Sequence, residues 1–140
     1  MLYICFRFKH YNMAVLIKIP VTSRKDTIHK YLKVLYQFHK MTDKEIEITT
    51  ELIDTYSSFR DKYDKELADK LIFSVETKNE MRQRLGDMAD PLFQNYLSNL
   101  RRKKVIVNKA IAPQYLPPTK DFKLVIEFNG QTDKGSSSNS

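Results

Sequence analysis

The chain has 140 residues, 24 of them Lys or Arg and 17 Asp or Glu, for a formal charge of +7 with three His and one Cys. That length supplies one core of ordinary size rather than two, so one compact unit with tails is expected, and 41% hydrophobic with 29% charged residues excludes the disordered and fibrous classes. The lone Cys5 closes no intramolecular disulfide, which makes a cytoplasmic setting the expectation, and the opening MLYICF is too short an apolar run for a signal peptide or a membrane span.

The charge is segregated. Residues 1–40 carry eight basic and one acidic residue, residues 41–90 eight and thirteen, and residues 91–140 eight and three. Within that last third, residues 91–120 hold six cations and no acid, as expected if one face meets a polyanion.

In chain order, LYICFRF and AVLIKIPV read as strands that either pair across His10–Asn12 or leave the first twelve residues as an upstream extension. Ser23 as N-cap, Asp26 three residues on, and the apolar spacing Ile28, Tyr31, Leu32, Leu35 predict a helix running to Phe38. MTDKEI predicts the next helix start: Thr42 and Glu45 form a capping box, Met41 and Ile46 a hydrophobic staple, and the helix continues through Leu52, Ile53 and Tyr56. Tyr63, Leu67 and Leu71, four residues apart, predict a short third helix, and Ser74 to Gly86 a fourth with Met81 and Leu85 on one face. Asp90 as cap and Pro91 as first helical residue open a fifth, with Phe93, Leu97 and Leu100 as its buried stripe. KVIVNKAIAP and DFKLVIEF then switch to short, β-branched or alternating patterns and are expected to pair with each other as a hairpin around PQYLPPTK, followed by a polar tail.

This order resembles the winged helix-turn-helix superfamily over Thr42–Phe128. Its most specific part runs from Met81 to Ile106: Met81, Leu85-Gly86 at the end of the first motif helix, Met88 in the turn, then Phe93, Leu97 and Leu100. Three features depart from the family pattern: Asp87 lengthens the turn by one residue, Arg82 stands where a small residue is usual, and Lys104 stands where a Gly precedes the first wing strand. A small basic chain with an N-terminal extension is also similar to uncharacterised proteins of tailed bacteriophages, which would place it in a bacterial or phage-infected cell. The resemblance implies an α+β, mostly α fold: residues 1–40 as an N-terminal strand and helix, 41–128 as a helix-turn-helix core with a two-stranded wing, and 129–140 as a tail.

It further implies sequence-specific double-stranded DNA binding in transcriptional regulation, with no catalysis and no cofactor. Gln94, Asn95 and Ser98 point away from the apolar stripe and suit base edges; Arg101, Arg102, Lys103, Lys104, Lys109 and Lys120 suit phosphates. Six such contacts predict a log-log salt slope near about −5. A homodimer would form through the Ser23–Phe38 helix, where Tyr31, Leu35 and Tyr36 exceed what one short domain buries. The competing reading is a non-catalytic docking module in a phage particle or polymerase complex, because fold alone does not decide function. His10, His29 and His39 stand far apart, with no ligand spacing for a metal, and the carboxylates of residues 43–69 read as a solvated, salt-bridged face.

Overall fold

A computed structural model describes residues 2–8, 13–117 and 123–128. Among them are six α-helices and five strands in an α+β arrangement. The chain divides into two compact units, residues 1–22 with 120–140, and residues 23–119. A single unit with tails was expected. The division arises because the last strand does not fold back on KVIVNKAIAP; it returns to the first strand of the chain.

The first unit is a three-stranded sheet. β1 (Leu2–Phe8) pairs antiparallel with β2 (Met13–Ile19), Ile4 opposite Ile17 and Phe6 opposite Val15. Of the two readings of the N-terminal segment, strand pairing is therefore the one realised. The later strand Lys123–Phe128, β5 below, runs parallel to β1, with Ile4 opposite Leu124, so β1 is central. The tail and Phe122 lie outside the described residues.

The second unit is built around one long helix. α1 (Arg24–Val34) starts at Ser23, whose hydroxyl accepts from the Asp26 N–H at 3.1 Å, and buries Ile28, Tyr31 and Leu32. It ends one turn short of the expected Phe38. Leu35 closes it, a single turn follows as α2 (Tyr36–His39), and Lys40 terminates that turn at φ 55°. α3 (Asp43–Arg60) carries both halves of the predicted capping box and buries nine of its side chains, Glu45 and Glu51 among them. The long apolar row Ile46, Ile48, Leu52, Ile53 and Tyr56 explains that burial: α3 meets neighbours on several sides, so its pattern is wider than the single stripe of a surface helix.

α4 (Lys65–Ile72) forms as predicted but with a different inner face. Ala68 and Ile72 are buried, whereas Tyr63 and Leu67 are 42% and 41% exposed. Asp64 fixes the helix start by accepting from the Leu67 N–H at 2.9 Å. α5 (Val75–Arg84) is capped by Ser74, and α6 (Asp90–Arg102) buries Phe93, Leu97 and Leu100 completely, as their spacing predicts. Ala89 is the N-cap of α6, so Asp90 and Pro91 each stand one place further into the helix than expected.

Beyond α6 lie β3 (Ile106–Val107), β4 (Ala110–Ile111) and, in the first unit, β5. β3 and β4 form a hairpin within KVIVNKAIAP itself, closed by Asn108 at φ 52° and Lys109 at φ 59°. Two consecutive left-handed residues are the geometry of the tight two-residue turn whose twist matches paired strands, and Asn is among the side chains that tolerate it. A single 3-10 turn at Pro113–Tyr115 follows, with the Gln114 carbonyl accepting from the Tyr31 hydroxyl at 2.9 Å.

His39 sits at 2% exposure beneath this turn, its ring 5.7 Å from that of Tyr115. Nδ1 accepts from the Met41 N–H at 2.9 Å, so Nε2 carries the proton and donates to the Leu32 carbonyl at 2.6 Å. The site fits a neutral ring only. Burial holds the His39 pKa below the ordinary histidine value, an effect that Lys103 reinforces while the Leu32 carbonyl and Glu45 oppose it. Below pH about 6.5 the unfolded chain takes up a proton that the folded ring refuses, so stability falls as the pH drops through that window. Thermal melting of the wild type should therefore weaken between pH 7 and pH 5.5, while His39→Asn, which keeps an acceptor for Met41, should be flat there. Equal pH dependence in both proteins would remove His39 from the account.

Candidate nucleic-acid interface

The turn between α5 and α6 sets how α6 is presented. Gly86 at φ 76° and Asp87 at φ 54° carry the chain through two left-handed residues. The Met88 N–H then donates to the Arg82 carbonyl at 3.0 Å, and the Met88 side chain is buried. Arg82 is half-buried. Its guanidinium runs along the turn, donating to the Met88 carbonyl at 3.1 Å and to Asn79 Oδ1 at 2.8 Å, with Nε 3.8 Å from the Asp90 carboxylate.

On α6 the outward residues divide into an outer face and two flanks. Asn95, Ser98 and Arg102 are exposed and recur at i, i+3 and i+7, so they share the face opposite Phe93, Leu97 and Leu100. Gln94 is half-buried on one flank, and its amide donates to Asp90 Oδ1 at 3.4 Å. Leu92, Tyr96 and Asn99 line the other flank with Asn95 and Arg102. Asn99, half-buried and not among the residues singled out from the sequence, accepts a hydrogen bond from Arg102.

The basic run at the end of α6 splits by direction. Arg101, Arg102 and Lys104 are exposed. Lys104 stands in the left-handed conformation at φ 63°. Lys109 is exposed at the tip of the hairpin, again left-handed. Lys120 lies outside the described residues.

Lys103 goes elsewhere. Its ammonium donates to Glu45 Oε1 at 2.5 Å and to the Lys40 carbonyl at 3.0 Å. Glu45 is 2% exposed on its side chain and also accepts from the Thr42 N–H at 2.8 Å. Burial on its own would raise the Glu45 pKa, but the Lys103 hydrogen bond and the Thr42 backbone outweigh it and hold the carboxyl below its usual value. Lys103, 30% exposed on its side chain, is thus engaged by Glu45, unlike the other cations of the run.

Charge in space also differs from charge along the chain. A cleft of about 580 Å³ is lined by Arg101, Asn108 and Lys109 on one side and by Glu66, Asp69 and Lys70 of α4 on the other, over Phe73 and Ile106. The acid-free stretch therefore has acids beside it, contributed by α4. Asp69 is engaged already, by Lys65 at 2.7 Å and by the Tyr56 hydroxyl, whose pKa burial and that hydrogen bond push up to about 12.

Among the described residues no group of three or more His, Cys, Asp or Glu could hold a metal ion, and no helix is long and apolar enough to cross a membrane. Comparison with known protein families, with curated proteins and with solved structures gives no match to this chain.

The two roles within the basic run are separable. Lys103→Met should cost about 2–3 kcal/mol in chemical denaturation, because Glu45 is left buried without its cation, whereas Arg101→Ala should stay within about 0.5 kcal/mol as an exposed substitution. Gly86→Ala, with open space around the added methyl but a left-handed backbone, should cost about 1 kcal/mol. A Lys103→Met protein as stable as Arg101→Ala would return Lys103 to the surface set.

Proposed function

We propose that residues 23–119 bind double-stranded DNA in the manner of a winged helix-turn-helix domain, α6 lying in the major groove and the β3–β4 hairpin beside it, and that the chain acts in transcriptional regulation. The observation that carries this reading is that Asn95, Ser98 and Arg102 share the outer face of α6, while the exposed cations Arg101, Lys104 and Lys109 follow on its end and the hairpin tip. Asn95 and Ser98 are then the base-reading candidates, Asn bidentate to adenine and Ser to either partner. Gln94 is a secondary one, since reading a base would require it to leave Asp90.

Phosphate contacts fall to Arg101, Arg102, Lys104 and Lys109 among the described residues, without Lys103. Four contacts imply a log-log salt slope of about −3 to −4 on duplex DNA rather than about −5. A second reading, a non-catalytic docking module for a protein partner, is favoured by one observation: the cleft beside Arg101 presents both charge signs over an apolar floor, which suits a protein surface better than a uniformly anionic backbone.

Gel-shift titration at several salt concentrations separates the two. The DNA reading expects duplex binding with that slope, and expects Arg101→Ala with Arg102→Ala to reduce the slope by about 2. Asn95→Ala with Ser98→Ala should instead lower discrimination between sequences while leaving the salt slope alone. If the wild type shows no duplex binding at low salt, the docking reading replaces it.

A further inference from the structure

The sheet unit carries a second surface that the DNA reading does not use. In the pairing register, Leu2, Ile4, Phe6 and Phe8 of β1, the odd-numbered residues 13–19 of β2, and Leu124 and Ile126 of β5 share one face, and none is charged. Exposure on that face is uneven. Leu2 and Ile4 are buried and Leu124 and Ile126 half-buried, while Met13, Val15 and Ile17 of β2 are 55%, 43% and 43% exposed. On the opposite face of the same strand Leu16 is 50% exposed. What stands uncovered is therefore one edge strand, on both sides, rather than the face as a whole.

An edge strand offers unpaired backbone N–H and C=O groups, and folded proteins usually blunt it with charge, Pro, a bulge or short length. Of these devices β2 has a single charge alone. It runs seven residues, MAVLIKI, without Pro or Gly, and its one charge, Lys18, sits over the Tyr3 ring of the neighbouring strand at 6.0 Å from the centroid. The other edge, β5, is defended in comparison: it carries charges at Lys123 and Glu127, and Glu127 is held by Arg7 at 3.3 Å.

We infer that β2 is a self-association edge, pairing antiparallel with β2 of a second copy of this chain about a two-fold axis to make one six-stranded sheet. The sequence of β2 is complementary to itself in that register. Leu16 meets the partner's Leu16 on the axis, Val15 lies across from Ile17 of the partner subunit, and Met13 across from Ile19 of the partner subunit. Lys18 falls opposite Ala14 of the partner subunit, so no like charges face each other. The parity of the register keeps the apolar face of one copy continuous with that of the next, and an isologous contact of this kind closes at two copies instead of growing into a fibre. This places self-association in β2, not in the Ser23–Phe38 helix, where Tyr31 and Leu35 are already buried in the helical unit. The inference does not depend on DNA binding.

Sedimentation velocity of the full chain over a wide concentration range tests it. The wild type should show a monomer–dimer equilibrium. Leu16→Lys and Leu16→Glu, exposed substitutions that leave the core alone, should each weaken association about tenfold or more, and an equimolar mixture of the two should restore it, since opposite charges then meet on the axis. Under mild oxidation Leu16→Cys should cross-link into a dimer and Val125→Cys, exposed on the other edge, should not. A wild type that remains monomeric at every concentration, a dimer indifferent to Leu16→Lys, or cross-linking through Val125→Cys instead would each overturn the inference.

Discussion

Two buried carboxylates on α3 govern how the helical unit is assembled. A buried charge without a partner costs several kcal/mol, so each must draw a cation to itself from another element. Glu51 takes Lys25 of α1 at 2.7 Å and the guanidinium of Arg84 at the end of α5, while Glu45, one and a half turns earlier, takes Lys103 from the end of α6. Burial would raise the Glu51 pKa, yet Lys25 and Arg84 overcome it and keep the carboxyl below its usual value. Arg24 adds a more exposed tie, to Asp54 and Ser58 of α3 and to Asp61 at its C-cap. Such pairs contribute little net stability against an apolar alternative, but they fix register, because a cation one turn out of place leaves the acid unpaired. The orientation of α6 follows from this requirement together with the packing of Phe93, Leu97 and Leu100.

The same requirement sorts the basic cluster. Four consecutive cations, Arg101 to Lys104, cannot all point one way, since the helix ends at Arg102 and the chain turns through a left-handed residue at Lys104. Lys103 faces inward and neutralises Glu45. Arg101, Arg102 and Lys104 are left on the surface, with Lys109 at the tip of the hairpin. With Lys103 engaged by Glu45, the exposed cations of the run are fewer than the composition implies.

Much of the helical unit was legible in the sequence because its signals are local. The Ser23 cap, the Thr42–Glu45 capping box, the Ser74 cap and the Met81 to Leu100 spacing depend on residues within one or two turns, and each recurs in the structure. Non-local events were the ones misread. DFKLVIEF alternates as a strand should, but alternation does not name the partner strand, and the choice fell on β1, more than a hundred residues away. The hairpin inside KVIVNKAIAP was hidden by its strands of two residues, although Asn108 was a cue for a left-handed turn. The burial of Glu51 was invisible because the cations that neutralise it, Lys25 and Arg84, come from other helices. For the candidate site, the exposure of Asn95 and Ser98 followed from helical spacing and that of Arg101 and Arg102 from the basic run at the helix end, whereas the pairing of Lys103 depends on an acid 58 residues away.

The central claim is that one surface, the outer face of α6 with the residues at its end and the hairpin tip, meets duplex DNA. Backbone amide chemical shifts recorded while a short duplex is titrated into the protein address it residue by residue. The largest shifts are expected at Asn95, Ser98, Arg101, Arg102, Lys104, Asn108 and Lys109. Shifts confined to other residues, or none at saturating duplex, would contradict it.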